Sequence, residues 1–226
     1  MTASERAPFD PHHYERLSTG TVPGYAALQE IVALAAAAEA PSSSAAVLDL
    51  GCGTGAGLVA LARALPDAQL TACDPAPSMI ATARARCEAA GVTTHFIVGD
   101  LSAVAADPQF DVVVCTLVLH FVPLDERGPL LAAIRARLRP GGSLVVSALG
   151  RSAEPTVQAA WTKLRRHYAL SNGFAPAELV AREEQMRGDV FPIAPDELSA
   201  ALRGAGFTSI TPLCQLLAVH SWLARS

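Results

Sequence analysis

The sequence predicts an α/β fold: a doubly wound, mostly parallel sheet with a helical cap inserted before the C-terminal strands. Three observations carry this. From residue 45 to 148, continuous apolar runs alternate with helical patterns, as expected of parallel strands whose two faces are both covered by helices. The first of these runs leads into a segment with four glycines among residues 51–57. The alternation stops near residue 151, and strand-like sequence returns only after residue 207.

Taken in order, residues 1–22 carry Pro8, Pro11 and scattered aromatics, and read as a loop or short helix lying over something. Residues 24–40 read as a helix stopped at Pro41. VLDL is a buried strand and GLVALARAL a helix; QLTACD is a strand and SMIATARARCEAAG a helix ended by Gly91. TTHFIVGD is a strand and FDVVVCTLVL a longer one. ERGPLLAAIRARLRPGG is a helix with a Pro-Gly-Gly stop, and SLVVSAL the next strand. Residues 155–170 and 176–187 are helical, broken at Ser171-Asn172-Gly173. PDELSAALRGAGF adds a helix, and ITPLCQLLAVHSWLA closes with one or two strands. Because a strand follows it, 152–192 is an inserted cap. The chain reads as a single domain, 1–226, with 1–40 as an N-terminal lid and helix.

Composition narrows the function. At 51% hydrophobic residues the chain can bury a large core. A net charge of −4, from 17 Lys+Arg against 21 Asp+Glu, argues against a nucleic-acid-binding face. Lys163 is the only lysine and sits in no Gly-Lys-Ser/Thr, which excludes a Walker phosphate loop. Five cysteines without a Cys-x-x-Cys spacing point away from a disulfide framework or zinc site, so no metal is expected. The polar start MTASERAPFD has no signal-peptide core, and IVALAAAAEA is too short to span a bilayer. A cytoplasmic protein without a membrane partner is expected.

Gly51, Gly53 and Gly55 lie between a buried strand and a helix start. Glycine lets backbone approach a ligand closely, and the helix start offers unpaired N–H groups. The loop is therefore expected to touch a nucleotide-like ligand. Gly51-x-Gly53-x-x-Ala56 also fits a dinucleotide fingerprint, with Asp74 placed for ribose hydroxyls. Three features separate the readings: Asp49 inside the preceding strand, Gly99-Asp100-Leu101 closing the third strand, and Arg139-Pro140-Gly141-Gly142 before the fifth. Acids at Asp49, Asp74 and Asp100 suit a cationic ligand without phosphate better than a pyrophosphate.

Together, VLDLGCGTG, CDPAPSMI, GDLSAV, FDVVVCTLVLHFVP and LRPGG resemble, in the same order, the motifs of class I S-adenosylmethionine-dependent methyltransferases. The resemblance implies the Rossmann-like methyltransferase fold, seven strands ending in a hairpin, with S-adenosylmethionine as cofactor and S-adenosylhomocysteine as product. It places Gly51, Gly53 and Gly55 near the cofactor's amino-acid part and Asp74, followed by Pro75, at the ribose. Met79 would flank the adenine, Asp100 and Leu101 would hold its edge, and Thr116 would contact the cofactor. The reaction implied is methyl transfer to a small molecule. Outside the core, GTVPGYAALQEIVALAA, SNGF and LRGAGF resemble the carboxy-S-adenosylmethionine synthase branch, which serves tRNA wobble-uridine modification. In that branch a Val-Pro-Gly-Tyr tyrosine, here Tyr25, contacts the cofactor, and a cap arginine pairs with the added carboxylate. Glu184 falls at the arginine's place, near Arg182, so the ordinary cofactor is expected. The resemblance also implies a homodimer.

His120 follows the fourth strand and is a candidate general base. Tyr14, with Phe9, His12 and His13, is expected to form a lid, and is the second candidate catalytic residue. Trp161, His167, Tyr168 and Phe174 would line the cap. Arg165-Arg166 and Arg135, Arg137 and Arg139 read as solvated helix faces. A nicotinamide-dependent oxidoreductase and a non-catalytic subunit are the rival readings.

Overall fold

The computed structural model describes residues 10–107 and 109–226, except for the side chain of Gln185. Seven strands form one sheet: β1 Ala46–Leu50, β2 Gln69–Asp74, β3 Thr94–Val98, β4 Phe110–Thr116, β5 Leu138–Leu149, β6 Ser209–Leu216 and β7 Val219–Arg225. Their order is β3-β2-β1-β4-β5-β7-β6. The first five are mutually parallel; β7 runs antiparallel between β5 and β6. The helices are α1 Pro11–Thr21, α2 Tyr25–Glu39, α3 Ala56–Ala64, α4 Pro77–Ala89, α5 Leu124–Arg137, α6 Pro155–Ser171, α7 Pro176–Gln185 and α8 Pro195–Gly204.

The apolar strands owe their continuity to two buried faces. Val47, Val112, Val114 and Val145 pack with α2 and α3, whereas Leu48, Val113, Cys115, Leu144 and Val146 pack with α5 and α8. Successive residues alternate between the two clusters, so both faces are largely apolar, and the buried polar residues of these strands, Asp49, Asp111, Ser143, Ser147 and Ser221 among them, are the exceptions.

Two boundaries differ from the sequence reading. β4 stops at Thr116 because Leu117 takes a left-handed φ of 60°, and a 3₁₀ turn at Leu119–Phe121 follows. α5 stops at Arg137, before Pro-Gly-Gly, because Leu138 already pairs with Phe110; the register then shifts before Val112 meets Ser143.

The cap is α6 and α7. Its ends close on each other: Ile193 N–H donates to the Leu149 carbonyl at 3.1 Å, and Arg151 N–H to Ile193 at 3.3 Å. α1 lies against it, with Leu17, Ala169, Phe174 and Leu179 forming a small apolar cluster apart from the sheet cores.

Candidate active site

The site lies at the carboxyl ends of the parallel strands, where β1 separates β2 from β4 and the strand order reverses. Gly51 and Gly55 have φ of 73° and 82°. A Cβ on Gly51 would collide with Val118, and one on Gly55 would lie 3.0 Å from the Ala83 backbone. Gly53 faces open space except for the Tyr14 ring, 3.6 Å from where its Cβ would be.

Asp74, ending β2, ties this loop down. Its Oδ2 accepts the Gly53 N–H at 3.0 Å and its Oδ1 the Ala76 N–H at 2.9 Å. Each oxygen retains a lone pair for a ligand. Burial raises its pKa, against the pull of those two N–H groups. Asp49, on β1, is fully enclosed; burial, reinforced by the charge of Asp74, lifts its pKa to about 7. Asp100 is exposed and held low by the Ser102 hydroxyl and N–H, at 2.6 and 2.8 Å. Among the described residues, none of the three carboxylates forms an ion pair.

Leu101 is buried, and Arg137 holds its carbonyl. The guanidinium donates to Leu101 at 2.8 Å, Val104 at 3.0 Å and Ala133 at 2.9 Å. Arg137 is thus a buried clamp on the turn after β3, not a solvated residue: three carbonyls replace the water it loses. Arg139 pairs with Asp111 at 2.6 Å. Met79 is buried in the first turn of α4, and Pro75 is exposed before it. At the end of β4 the Thr116 hydroxyl is buried and unpartnered among the described residues; Ser78 Oγ on α4 is the same.

α1 covers the loop. Tyr14 stands against Gly53, shares a hydrogen bond with Ser18, and has its pKa raised chiefly by burial. His12 and His13 are exposed in the first turn of α1, where their backbone N–H groups donate to the capping Asp10 carboxylate, and neither lines the cavity. Phe9 lies outside the described residues. Tyr25 on α2 is bonded to Gln29 and likewise raised by burial. Arg86 links α1 to the loop through Glu15 and the Thr54 hydroxyl.

Beyond Tyr14 opens a cavity of about 250 Å³ between α1, the turn after β4, the cap and the β6–β7 turn. Leu117, His120, Trp161, Arg165 and Arg182 are among the residues lining it. Leu117 and Leu217, both lining residues, have left-handed φ values of 60° and 51°, strain that is stored where the wall must turn. Of the cap aromatics only Trp161 lines the cavity: His167 is exposed, Tyr168 donates to the Thr19 carbonyl at 3.1 Å, and Phe174 is buried under the Arg16 guanidinium. Arg165 faces the cavity, against the reading of a solvated face, because α6 turns that side toward the sheet. Arg182 also lines it, whereas Glu184 is exposed.

His120 is buried, its Nδ1 accepting the Leu149 N–H at 3.2 Å. The proton of the neutral ring therefore sits on Nε2. Burial, helped by the nearby Arg127 charge, drops its pKa to about 3. A neutral imidazole with its acceptor nitrogen occupied is a donor; the base inferred from sequence has no free lone pair here. Arg127 fixes this turn. It is buried, donates to the Val122 carbonyl at 3.0 Å and to that of Phe191, and the Phe191 N–H donates to the His120 carbonyl at 2.7 Å.

Residues 47–142 match the family described as a methyltransferase domain. The carboxy-S-adenosyl-L-methionine synthase of Geobacter metallireducens is 33% identical over 193 residues, covering 83% of this chain and 78% of the relative. The chain belongs to the class I S-adenosylmethionine-dependent methyltransferase family. A second synthase, from Pseudomonas fluorescens, is 32% identical over 128 residues, 57% of this chain and 51% of that protein. The match thus spans about half the length of the first curated relatives. Human N-acetylserotonin methyltransferase, solved with S-adenosylmethionine, shares the methyltransferase fold at a TM-score of 0.58 and 22% identity, over 94% of this chain and 56% of that one.

The residues of this chain suit the family's cofactor. Three unpaired carboxylates, a cradle without Cβ atoms and the orphaned Thr116 and Ser78 hydroxyls match a cationic, hydroxyl-bearing nucleoside. Asp49, Asp74, Asp100, Leu101 and Thr116 would hold it.

Proposed function

We propose that this protein transfers a methyl group from S-adenosylmethionine to a small-molecule acceptor held under the cap. One observation carries the reading: the glycine loop and the cavity share Tyr14 as a common wall. When bound, the cofactor supplies a methyl group already activated on a sulfonium. The chain's contribution is placement and exclusion of water. Asp49 and Asp74 set a negative field at the loop, and α1 covers it. His120 Nε2–H and the Tyr14 hydroxyl donate hydrogen bonds that orient the acceptor. An acceptor that arrives as an anion, its proton already lost to solvent, or as a neutral amine, whose proton leaves to solvent after transfer, needs no protein base.

Calorimetry should show S-adenosylmethionine and S-adenosylhomocysteine binding, with a methyl-mass increment on an acceptor. Tight binding of a nicotinamide dinucleotide instead would install the oxidoreductase reading.

A second reading is a carboxy-S-adenosylmethionine synthase-like activity, supported by the relatives' names and by Arg182 at the cavity wall. The sequence objection to it loses force, since Glu184 is exposed. Far tighter binding of carboxy-S-adenosylmethionine than of S-adenosylmethionine would establish it. We place the protein in the cytoplasm, consistent with five free cysteines among the described residues, and as a homodimer, which sedimentation tests.

A further inference from the structure

We infer that the acceptor carries a carboxylate and that Arg165 of α6 and Arg182 of α7 receive it; this rests on the cavity being the acceptor site.

Three arginines and one carboxylate meet at this wall. Arg165, Arg166, Arg182 and Glu183 all line the cavity. Glu183 is committed to Arg166, whose Nε donates to its Oε1 at 3.0 Å while Nη2 reaches Oε2. Arg165 comes no closer than 3.8 Å to the same carboxylate. Arg182 has no ion-pair partner among the described residues. The wall therefore holds more positive charge than its own acid neutralises.

Arg165 and Arg182 are also partly removed from water. Burial lowers the pKa of both, and their mutual repulsion adds to the lowering at Arg182. Two neighbouring cations facing a half-enclosed space are costly unless an anion completes them. A carboxylate suits the guanidinium fork in shape and charge. Around them Leu117, Phe121, Trp161 and Met186 offer apolar surface for the rest of the molecule. The pocket is thus built for an organic acid with an apolar body.

Tyr14 lines the same cavity as Arg182 and also stands against Gly53. The anion would therefore anchor the acceptor at the wall that adjoins the glycine loop.

The test uses the full chain, with and without saturating S-adenosylhomocysteine. Hexanoate and 3-phenylpropionate are titrated against their amides, which keep the shape and lose the charge. On the order of tenfold preference for the acid is expected in at least one pair. Arg165→Met and Arg182→Met should each reduce that preference, with S-adenosylhomocysteine affinity unchanged as the check on folding. No acid preference in either pair, whether the compounds bind or not, overturns the inference. So does a preference that survives in both variants, or one that the variants abolish for carboxy-S-adenosylmethionine over S-adenosylmethionine, which would put the anion on the cofactor. Failure of S-adenosylhomocysteine to bind the wild-type chain would instead overturn the methyltransferase reading, and the acid-to-amide ratio without it would still be read.

Discussion

Asp49 and His120 are buried groups whose protons move in opposite directions on folding. His120 is lowered from 6.5 to about 3. Between those values the unfolded chain holds a proton that the native ring lacks. Its contribution is whole above pH ~6.5 and declines by up to ~1.4 kcal/mol per unit as pH falls. His120→Gln should therefore lose less melting temperature than the wild type between pH 7.5 and 5.5; an equal loss would show a histidine that titrates as if exposed. Asp49 is raised from 3.8 to about 7, so the native state keeps a proton that the unfolded state has released. That stabilisation is full below the unfolded value and is lost as pH rises through 7. A cationic cofactor favours the charged carboxylate, so binding near pH 6.5 should release a proton. Calorimetry in two buffers of different ionisation enthalpy measures this, and Asp49→Asn should abolish it. Asp74→Ala should weaken S-adenosylmethionine about 10- to 100-fold, by removing charge-assisted hydrogen bonds of ~1.5–3 kcal/mol. An unchanged affinity would remove Asp74 from the site. These acids were legible in the sequence because each ends or lies within a strand beside a turn motif. Arg127 and Arg137 were not: their acceptors are carbonyls that only the fold brings near, the Leu101 carbonyl 36 residues away from Arg137.

Among the elements, α1 does most to close the site. It reaches the glycine loop through Tyr14 and the Glu15–Arg86 pair, and the cap through Arg16, which pairs with Glu178 at 3.1 Å and stacks on Phe174 at 4.0 Å. Those ion pairs are half-exposed and weak. Leu17, 3% exposed among Ala169, Phe174 and Leu179, anchors the helix. Leu17→Ala should cost ~2–5 kcal/mol of docking. Because this cluster is separate from the sheet cores, the cost should appear as faster amide exchange in α1 and weaker cofactor binding, with protection of β1 and β4 kept. Loss of protection throughout would show that α1 belongs to the global folding unit. The helices of the cap could be placed from sequence because Pro155, Pro176 and Ser171-Asn172-Gly173 punctuate them locally. Which way they face could not, since α6 and α7 are polar on several sides and the partners that turn Trp161 and Arg165 inward, His220 of β7 and the residues of α1 among them, lie far away in the chain. The end of β4 differs for a related reason: apolar Leu117 continues the strand pattern, and a left-handed φ at an apolar residue leaves no mark in the sequence.

At the scale of the molecule, the parallel sheet was readable because apolar strands covered on both faces leave a sequence pattern that few other folds share. The cavity was not, because it is assembled from α1, the β4 turn, the cap and the β6–β7 hairpin, segments drawn from nearly the whole chain. That assembly has a consequence for stability. A ligand bound at the loop acts on the sheet through Asp74 and on the cap through Tyr14 and α1, so its binding energy should couple units that otherwise pack separately. S-adenosylhomocysteine at 100 times its dissociation constant adds ~2.7 kcal/mol to the native state. For a chain of 226 residues this should raise the melting temperature by about 5–10 °C. If the coupling holds, protection against exchange should rise in α6 and α7 as well as at residues 51–55. A thermal shift accompanied by protection of the loop alone would mean that the cap moves independently of the cofactor, and acceptor binding would then have to close it.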